Sequence, residues 1–501
     1  MGSEKRVLLA AALSAIFISV YSSAVLKPSR QPAQQLLPVA SPQTMSADVA
    51  SYHILDEDVT VIESRDVRLE IGKSSAAVRK VTLKQFHDSI SSAPLQISSS
   101  YPLLGIRGDV RWILKETGST AVTFTGADAS ASYRLTYELN AEQPGLQLSV
   151  ATDQATLASL RIIASWAKAD ALNDQQNRLE ISARSEDNGK ARYFRHGVSR
   201  KAKNVPRGTL LLSIAERFFC ISVKSVQPLA VQILPSINGH ELVTEASLPS
   251  GADTYQAKVY FGPRDYFYLR QAGVEQAFAV GTISQIGLVL LSFLKWIAGI
   301  TKNYGVAIIC FSIGITALIS PLTLISFRSM KKMQELKPKV DHVLAKYKND
   351  QMKANQEVFA LYREHKVSPL SGCLPMLLQM PILIALFQAM SHFIDFRGKG
   401  FLWIADLSLP DHFLRLPFSV PLLGPHLNLL PIIMAAAMYI QTRQSSRAMG
   451  SAESNPTAKM FSGPLMPIMF GVMFYQVPSG LVLYWLTNTL MSLVIYRVAK
   501  S

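Results

Sequence analysis

Four hydroxyl side chains, Ser312, Thr316, Ser320 and Thr323, follow one another at spacings of four, four and three. On a helix that spacing puts all four on one face. They lie in a stretch, Tyr304 to Phe327, that holds no charged residue and exceeds the roughly 20 residues a bilayer core requires. The chemistry such a stripe offers is hydrogen bonding inside an apolar medium. A membrane helix turns a stripe of this kind toward another helix or toward water, not toward lipid. The plainer alternative is that each hydroxyl bonds its own helical backbone. The other faces carry Val306, Ile308, Ile309, Phe311, Ile315, Leu318 and Ile319, and Pro321 is expected to kink or end the helix. Near the C-terminus, Tyr484 and Asn488 share a helical face by their spacing of four.

Little else has the spacing of a reactive site. The nine histidines are scattered, and none makes an HExxH pair. Gly72-Lys73-Ser74 imitates the end of a phosphate loop, but Val67 stands where its first glycine belongs, so a strand-end turn is the reading. Cys220, Cys310 and Cys373 are odd in number and far apart, which argues against a disulfide framework or a zinc site. No cofactor, metal site or catalytic residue is expected, and no enzyme activity.

The elements that would position these residues fall into distinct regions. Lys5 and Arg6 precede the uncharged run Val7–Leu26, which is either a cleaved signal peptide, with Ser22-Ser23-Ala24 as the cleavage site, or a retained anchor; its length favours the anchor. Residues 27–51 are rich in Pro, Gln, Ser and Ala and read as a flexible linker. Over 52–272 the pattern becomes short alternating segments: Val67, Leu69 and Ile71; Val122 and Phe124; Leu135, Tyr137 and Leu139; Leu146, Leu148 and Val150. Pro144-Gly145 and Asn238-Gly239 mark turns. This predicts a β-sandwich, a binding or spacer module rather than an enzyme. Residues 273–302 switch to helical period, with Ile286, Val289, Leu290, Phe293, Leu294 and Ile297 on one face and Lys295-Trp296 near the end. That predicts an amphipathic helix in a membrane interface.

The remainder, 303–501, alternates apolar segments with charged loops. Residues 327–368 are cation-rich and helical in period, broken near Asn349-Asp350, with Arg328, Lys331, Lys332, Lys346 and Lys348 among the cations. A basic hairpin beside a membrane helix belongs on the cytoplasmic side, and its charge suits anionic lipid or ribosomal RNA. The net charge of +15 is thereby an orientation signal, and no DNA partner is expected. Leu374–Phe393, a short Leu427–Ile440 and Pro464–Tyr496, interrupted at Pro478-Ser479-Gly480, complete the apolar set. The expected fold is an α+β membrane protein: five transmembrane helices with both termini cytoplasmic, a large periplasmic β-sandwich and a cytoplasmic helical hairpin.

Three segments carry a resemblance: SPLTLISFRSMKKMQELKPKV (320–340), VSPLSGCLPMLLQMPILIALF (367–387) and VPSGLVLYWLTN (477–488), with a weaker match in VYFGPRDYFYL (259–269). Through them the chain resembles the YidC family of bacterial membrane protein insertases. The resemblance implies a multi-pass protein of a Gram-negative inner membrane. Its cytoplasm-facing hydrophilic groove receives hydrophobic segments of nascent membrane proteins and releases them sideways into the lipid bilayer, alone or with the Sec translocon. The ribosome and the signal recognition particle pathway are further candidate partners. It also implies that Ser312 and Gln379 lie in or beside the groove, and that Tyr484 and Trp485 contact the incoming segment. With Thr316, Ser320, Thr323 and Asn488 these make the candidate groove. Family members usually carry one arginine in the groove; here an ungapped alignment places Thr316 there, and Arg328 is about 18 Å further along the helix. The expectation is that hydration by the hydroxyls and Gln379 suffices. A small-molecule transporter is disfavoured by the lack of internal repeats, and a sugar-binding role for the sandwich leaves the polar stripe and the hairpin unexplained.

Overall fold

The computed structural model describes residues 57–500 except 88–92, 100, 130, 141–144, 154–156, 158–159, 168–178, 188–189, 198–202, 207, 235–240, 249–251, 279–281, 349, 366, 368–373, 421–422 and 450–464. The expected N-terminal anchor, the linker and the turns at Pro144 and Asn238-Gly239 lie outside the described residues. The chain forms two compact units, divided between Val280 and Gly281.

The first unit is a β-sandwich-like assembly of antiparallel strands. Strict alternation drives it. In Ser132–Leu139 every second side chain is buried, and in the register Tyr137 opposes Leu148 and Leu135 opposes Val150. One sheet runs from the edge strand Lys190–Gly197 through Glu180–Asp187 and Thr209–Ala215 to Phe219–Ile233. It continues through Thr254–Pro263, Leu146–Thr152, Ser132–Leu139 and Ala121–Ala127 to Arg111–Thr117. The long strand Phe219–Ile233 belongs to both sheets, since its second half pairs with Glu241–Ser247. From there the other sheet reaches Arg161–Ala167, Leu104–Arg107, Val78–His87, Val67–Gly72 and Val59–Glu63. Leu69, Ile71, Phe124, Tyr137, Trp166 and Tyr255 are fully buried. The Tyr137 hydroxyl donates to the Ala76 carbonyl at 2.7 Å, which ties one sheet to the other. Within 259–269, Arg264 pairs with Glu180, and Asp265 caps the short helix α1 (Tyr266–Gln271) by accepting from the Phe267 amide at 2.9 Å.

The second unit is helical: α2 (Thr282–Thr301), α3 (Tyr304–Glu335), α4 (Lys337–Lys346), α5 (Gln351–Glu364), α6 (Leu374–Met390), α7 (Leu429–Met449), α8 (Leu465–Met473) and α9 (Ser479–Lys500). Helix α3 packs along α9 and against α2, and α2 also packs along α6. Pro321 does not end α3, which runs on to Glu335. The basic hairpin is made of α4 and α5, with a small core of Met333, Leu336, Val340, Tyr362 and Val367.

Among the described residues, two helices hold an apolar stretch long enough to cross a membrane, Tyr304–Pro321 and Ser479–Arg497. Gln285–Thr301 and Gln379–Met390 are apolar but shorter. The expected short fourth apolar helix is longer than its apolar run: α7 spans 21 residues because the polar sequence after Ile440 continues the same helix. On α2 the predicted apolar face does not pack as a unit. Leu288, Leu291, Leu294 and Ala298 are buried, whereas Phe293 is 43% exposed and stacks on Trp296, 61% exposed. The helix is apolar nearly all round, so its composition does not set which side packs. Outward-facing Ile313 and Leu318 on α3, Ile384 and Phe387 on α6, Ile432 and Ile440 on α7, and Leu490 and Val494 on α9 give the unit an apolar surface.

Candidate functional site

The hydroxyl stripe of α3 faces another helix. Ser312 is fully buried, Thr316 and Thr323 are nearly so, and Ser320 is half-buried. Each hydroxyl first serves its own backbone. Ser312 donates to the Ile308 carbonyl at 2.6 Å, Thr316 to Ser312 at 2.7 Å, Ser320 to Ala317 at 2.8 Å and Thr323 to Ile319 at 3.3 Å. Helical Ser and Thr satisfy themselves this way in an apolar setting, so the plainer reading of the stripe holds for all four.

One member reaches further. The Thr316 hydroxyl also contacts the Asn488 side-chain oxygen on α9. Asn488 donates from Nδ2 to the Tyr484 carbonyl at 3.2 Å, one turn back on the same face. The Tyr484 hydroxyl, from a side chain that is fully buried, accepts from Gln379 Nε2 on α6 at 2.5 Å. The Tyr484 ring lies 6.0 Å from the ring of Phe311. Thr316, Asn488, Tyr484 and Gln379 thus form a polar chain across three helices, in a unit whose outer surface is apolar. A buried amide or hydroxyl without a partner costs roughly 2–7 kcal/mol in such surroundings. The chain satisfies these groups while keeping hydrogen-bonding capacity at the centre of the bundle.

Trp485 is not brought to this cluster. It turns to the other side of α9, where it stacks on Phe470 and lies against Phe474 of α8. Its indole N–H points at the Met438 sulfur of α7 at 3.3 Å. The Phe470/Phe474 spacing of four was the available sign of that cluster in the sequence. Ser320 and Thr323 lie one and two turns beyond Thr316, without a described bond to another helix. The candidate cations Arg328, Lys331 and Lys332 are exposed on the far end of α3, and Lys346 and Lys348 are exposed at the tip of the hairpin. There Lys346 and Lys353 hold their ammonium groups 5.4 and 5.5 Å from the Tyr347 ring.

The opposite end of the bundle is closed by the segment 394–428. Main-chain bonds run from Ser479 N to the Leu409 carbonyl at 2.7 Å and from Gly480 N to Leu407 at 2.9 Å, at the start of α9. Asp411 accepts from Leu430 N at 2.6 Å, at the start of α7. Gly305, at the start of α3, lies so close to Phe401 that a Cβ there would meet its ring. Lys295 of α2 pairs with Asp395 at 2.9 Å, and Tyr304 donates to the same carboxylate at 3.1 Å.

In the β unit, the Gly72-Lys73-Ser74 turn proves to be an anion cradle whose donors are already taken. The Glu57 carboxylate accepts from the Ser74 and Ser75 amides at 2.8 and 2.9 Å, from both hydroxyls and from Arg79. Among the described residues, no group of three or more His, Cys, Asp or Glu is arranged to hold a metal ion.

An apolar-surfaced helical bundle with a satisfied polar centre has the build of a membrane-embedded unit. Residues 296–501 match the family described as 60Kd inner membrane protein. A membrane protein insertase YidC from Endomicrobium trichonymphae is 37% identical over 258 residues, 50% of this chain and 47% of that one. One from Syntrophobacter fumaroxidans is 40% identical over 245 residues, 48% of this chain and 42% of that one. A crystal structure of an active YidC insertase with its first transmembrane domain resolved is 18% identical, covering 89% of this chain and 93% of that one, at a TM-score of 0.38. Over residues 296–501 the chain thus matches that inner-membrane-protein family, and the relatives it is similar to there are YidC insertases. The aligned stretch spans about half the length of these curated relatives.

Proposed function

We propose that this protein is an inner-membrane insertase and folding chaperone. It takes the hydrophobic segment of a nascent membrane protein against the polar chain Gln379–Tyr484–Asn488–Thr316 and releases it sideways into lipid, alone or beside the Sec translocon. The observation that carries this reading is that chain itself, four residues linked across α3, α6 and α9 by two side-chain contacts and the bond from Asn488 to the Tyr484 carbonyl, within an apolar-surfaced bundle. The polar flank of a substrate cannot enter bare hydrocarbon cheaply. Side chains that exchange partners with it shorten the stretch over which its amides go unsatisfied. Once across, the substrate's apolar helix gains about 0.3–0.6 kcal/mol for each strongly apolar residue placed in lipid, so no nucleotide is required to drive the step. Ser312, Ser320 and Thr323 extend the polar face along α3 on both sides of Thr316, and Trp485 holds α9 against α7 and α8.

In this reading the end of α3, with Arg328, Lys331 and Lys332, and the α4–α5 hairpin, with Lys346 and Lys348, face the cytoplasm, where ribosome, signal-recognition-particle or lipid contacts are made. The β unit stands in the periplasm. The expected five spans counted Pro464–Tyr496 once, but it forms the two helices α8 and α9; with the anchor, α3, α6 and α7 they make six crossings, the even number that both termini inside requires. Five domains follow: an anchor, a linker, the sandwich, the interfacial helix α2 and the insertase core.

The test is insertion of a short single-spanning protein into liposomes that contain only this purified chain. Protease protection of the translocated tail, seen only when the chain is present, is the expected outcome. Absence of protection with chain shown to be folded overturns autonomous insertion.

A further inference from the structure

The segment 394–428 contains a two-stranded hairpin, Leu414–Val420 paired with Gly424–Leu427, with an unusual surface. Phe413 is 49% exposed, Leu414 54% and Phe418 64%. Arg415 is the one charged residue between Phe413 and Leu427. A lone two-stranded hairpin is marginal in water, and clustered exposed apolar side chains mark a surface that meets something apolar. Yet this hairpin is firmly held. Gln476 donates to the Leu423 carbonyl at 2.7 Å near its tip, and the Tyr475 hydroxyl donates to His426 at 3.0 Å near its base. At the base, Asn428 bonds the Tyr475 carbonyl at 2.7 Å and the His412 amide at 3.0 Å, and the imidazoles of His412 and His426 stack at 4.2 Å. Its posture relative to α7 and α9 is thus fixed with its apolar side chains outward.

We propose that this hairpin is a lipid-interface anchor. Phe413, Leu414 and Phe418 enter the boundary between headgroups and acyl chains of the leaflet at which α3, α7 and α9 begin, and Arg415 reaches back to lipid phosphate. The inference rests on the membrane reading above. Three observations favour lipid as the occupant. The hairpin is continuous with the start of α7 at Leu429, whose own outward residues Ile432 and Ile433 are apolar and exposed. The segment that carries it crosses the starts of three helices, two of them with membrane-length apolar stretches. Aromatic residues beside a single snorkelling cation suit an interface, whereas a hairpin without acidic residues and with one cation gives a charged partner little to bind.

The experiment places a nitroxide at Phe418→Cys in the full chain, with Cys220, Cys310 and Cys373 replaced by alanine. The chain is reconstituted in phosphatidylcholine–phosphatidylglycerol vesicles, and collisional accessibility to oxygen is compared with that to a polar nickel complex. A parallel label at Leu318→Cys, 74% exposed on α3, reports on the bundle. Oxygen accessibility several-fold above nickel at both positions is the expected result. Lipid exposure at 318 with nickel exposure at 418 overturns the anchor and leaves the membrane reading intact; water exposure at both overturns both. A label at 418 shielded from both agents shows that protein covers the hairpin, a second copy or another part of this chain, and also overturns the anchor. In a Phe418→Trp variant, which needs no cysteine replacement, added quenching by brominated lipid relative to the parent chain is expected, and its absence counts against the anchor.

Discussion

Thr316 joins two helices with one hydroxyl. Its proton goes to the α3 backbone or to Asn488, so replacing it with valine keeps the volume and removes the link. Leaving the Asn488 carboxamide oxygen without that donor should cost about 1–3 kcal/mol. A Thr316→Val, Asn488→Leu double variant should lose less than the sum of the two singles, because removing both partners leaves nothing unsatisfied. Unfolding of the four proteins in mixed micelles measures this, and strict additivity would show that the contact has no energetic weight. The contact was not legible in the sequence. Helical spacing gave the stripe its face, but Thr316 and Asn488 are 172 residues apart, and periodicity carries no information about which helix lies opposite. The expected groove groups Trp485 with Tyr484, but the next residue on a helix points about 100° away, and only the tertiary packing shows Phe470 and Phe474 beside it.

Glu57 offers a second residue-scale outcome, in the β unit. Partial burial pushes its carboxyl up, but the hydrogen bonds from Ser74, Ser75 and Arg79 outweigh that and bring it from 4.5 down to about 2. A carboxyl whose pKa is depressed by folding stabilises the folded state above its unfolded value, and that contribution is lost as pH falls from about 4.5 through about 2. Glu57→Gln should therefore lower the melting temperature of the β unit at pH 7 and show a shallower loss of stability below pH 4.5 than the parent. Identical acid slopes for the two proteins would refute the clamp.

At the scale of elements, close approach sets the helix pairing. A Cβ on Gly287 of α2 would meet the Ala385 carbonyl oxygen and the Ala389 methyl of α6. Gly287→Leu should part the two helices at a cost of about 1–3 kcal/mol, with Gly287→Ala intermediate, read as a fall in the midpoint of denaturant unfolding. An unchanged midpoint for the leucine variant would mean that α2 is not packed there. The β strands were the most legible elements, because a face that alternates buried and exposed, as in Leu135, Tyr137 and Leu139, leaves one solution for register. Helices in an apolar medium are harder to read. On α2 both sides are apolar, so the predicted apolar face divides, with Val289, Leu294 and Ile297 buried and Phe293 exposed. On α7 hydrophobicity stops at Ile440, yet backbone hydrogen bonding continues to Met449, since no glycine or proline intervenes before Gly450.

At the scale of the molecule, each unit has its own core, and the family match falls on the helical one. Deleting most of Tyr52–Arg270 should therefore leave insertion into liposomes largely intact, measured by the same protease protection. Loss of insertion by a deletion variant that still folds would assign the β unit a direct part in the process.

The segment 394–428 touches the starts of α3, α7 and α9 through Phe401, Asp411, Leu407 and Leu409. Its partners are scattered along the chain, at Gly305, Leu430 and Ser479-Gly480. During translation the clasp cannot fasten until residue 480 has emerged, when α3, α6 and α7 have already been made. The clasp is thus completed only by the arrival of α9, which brings Tyr484 and Asn488 to the centre in the same movement that locks the far end.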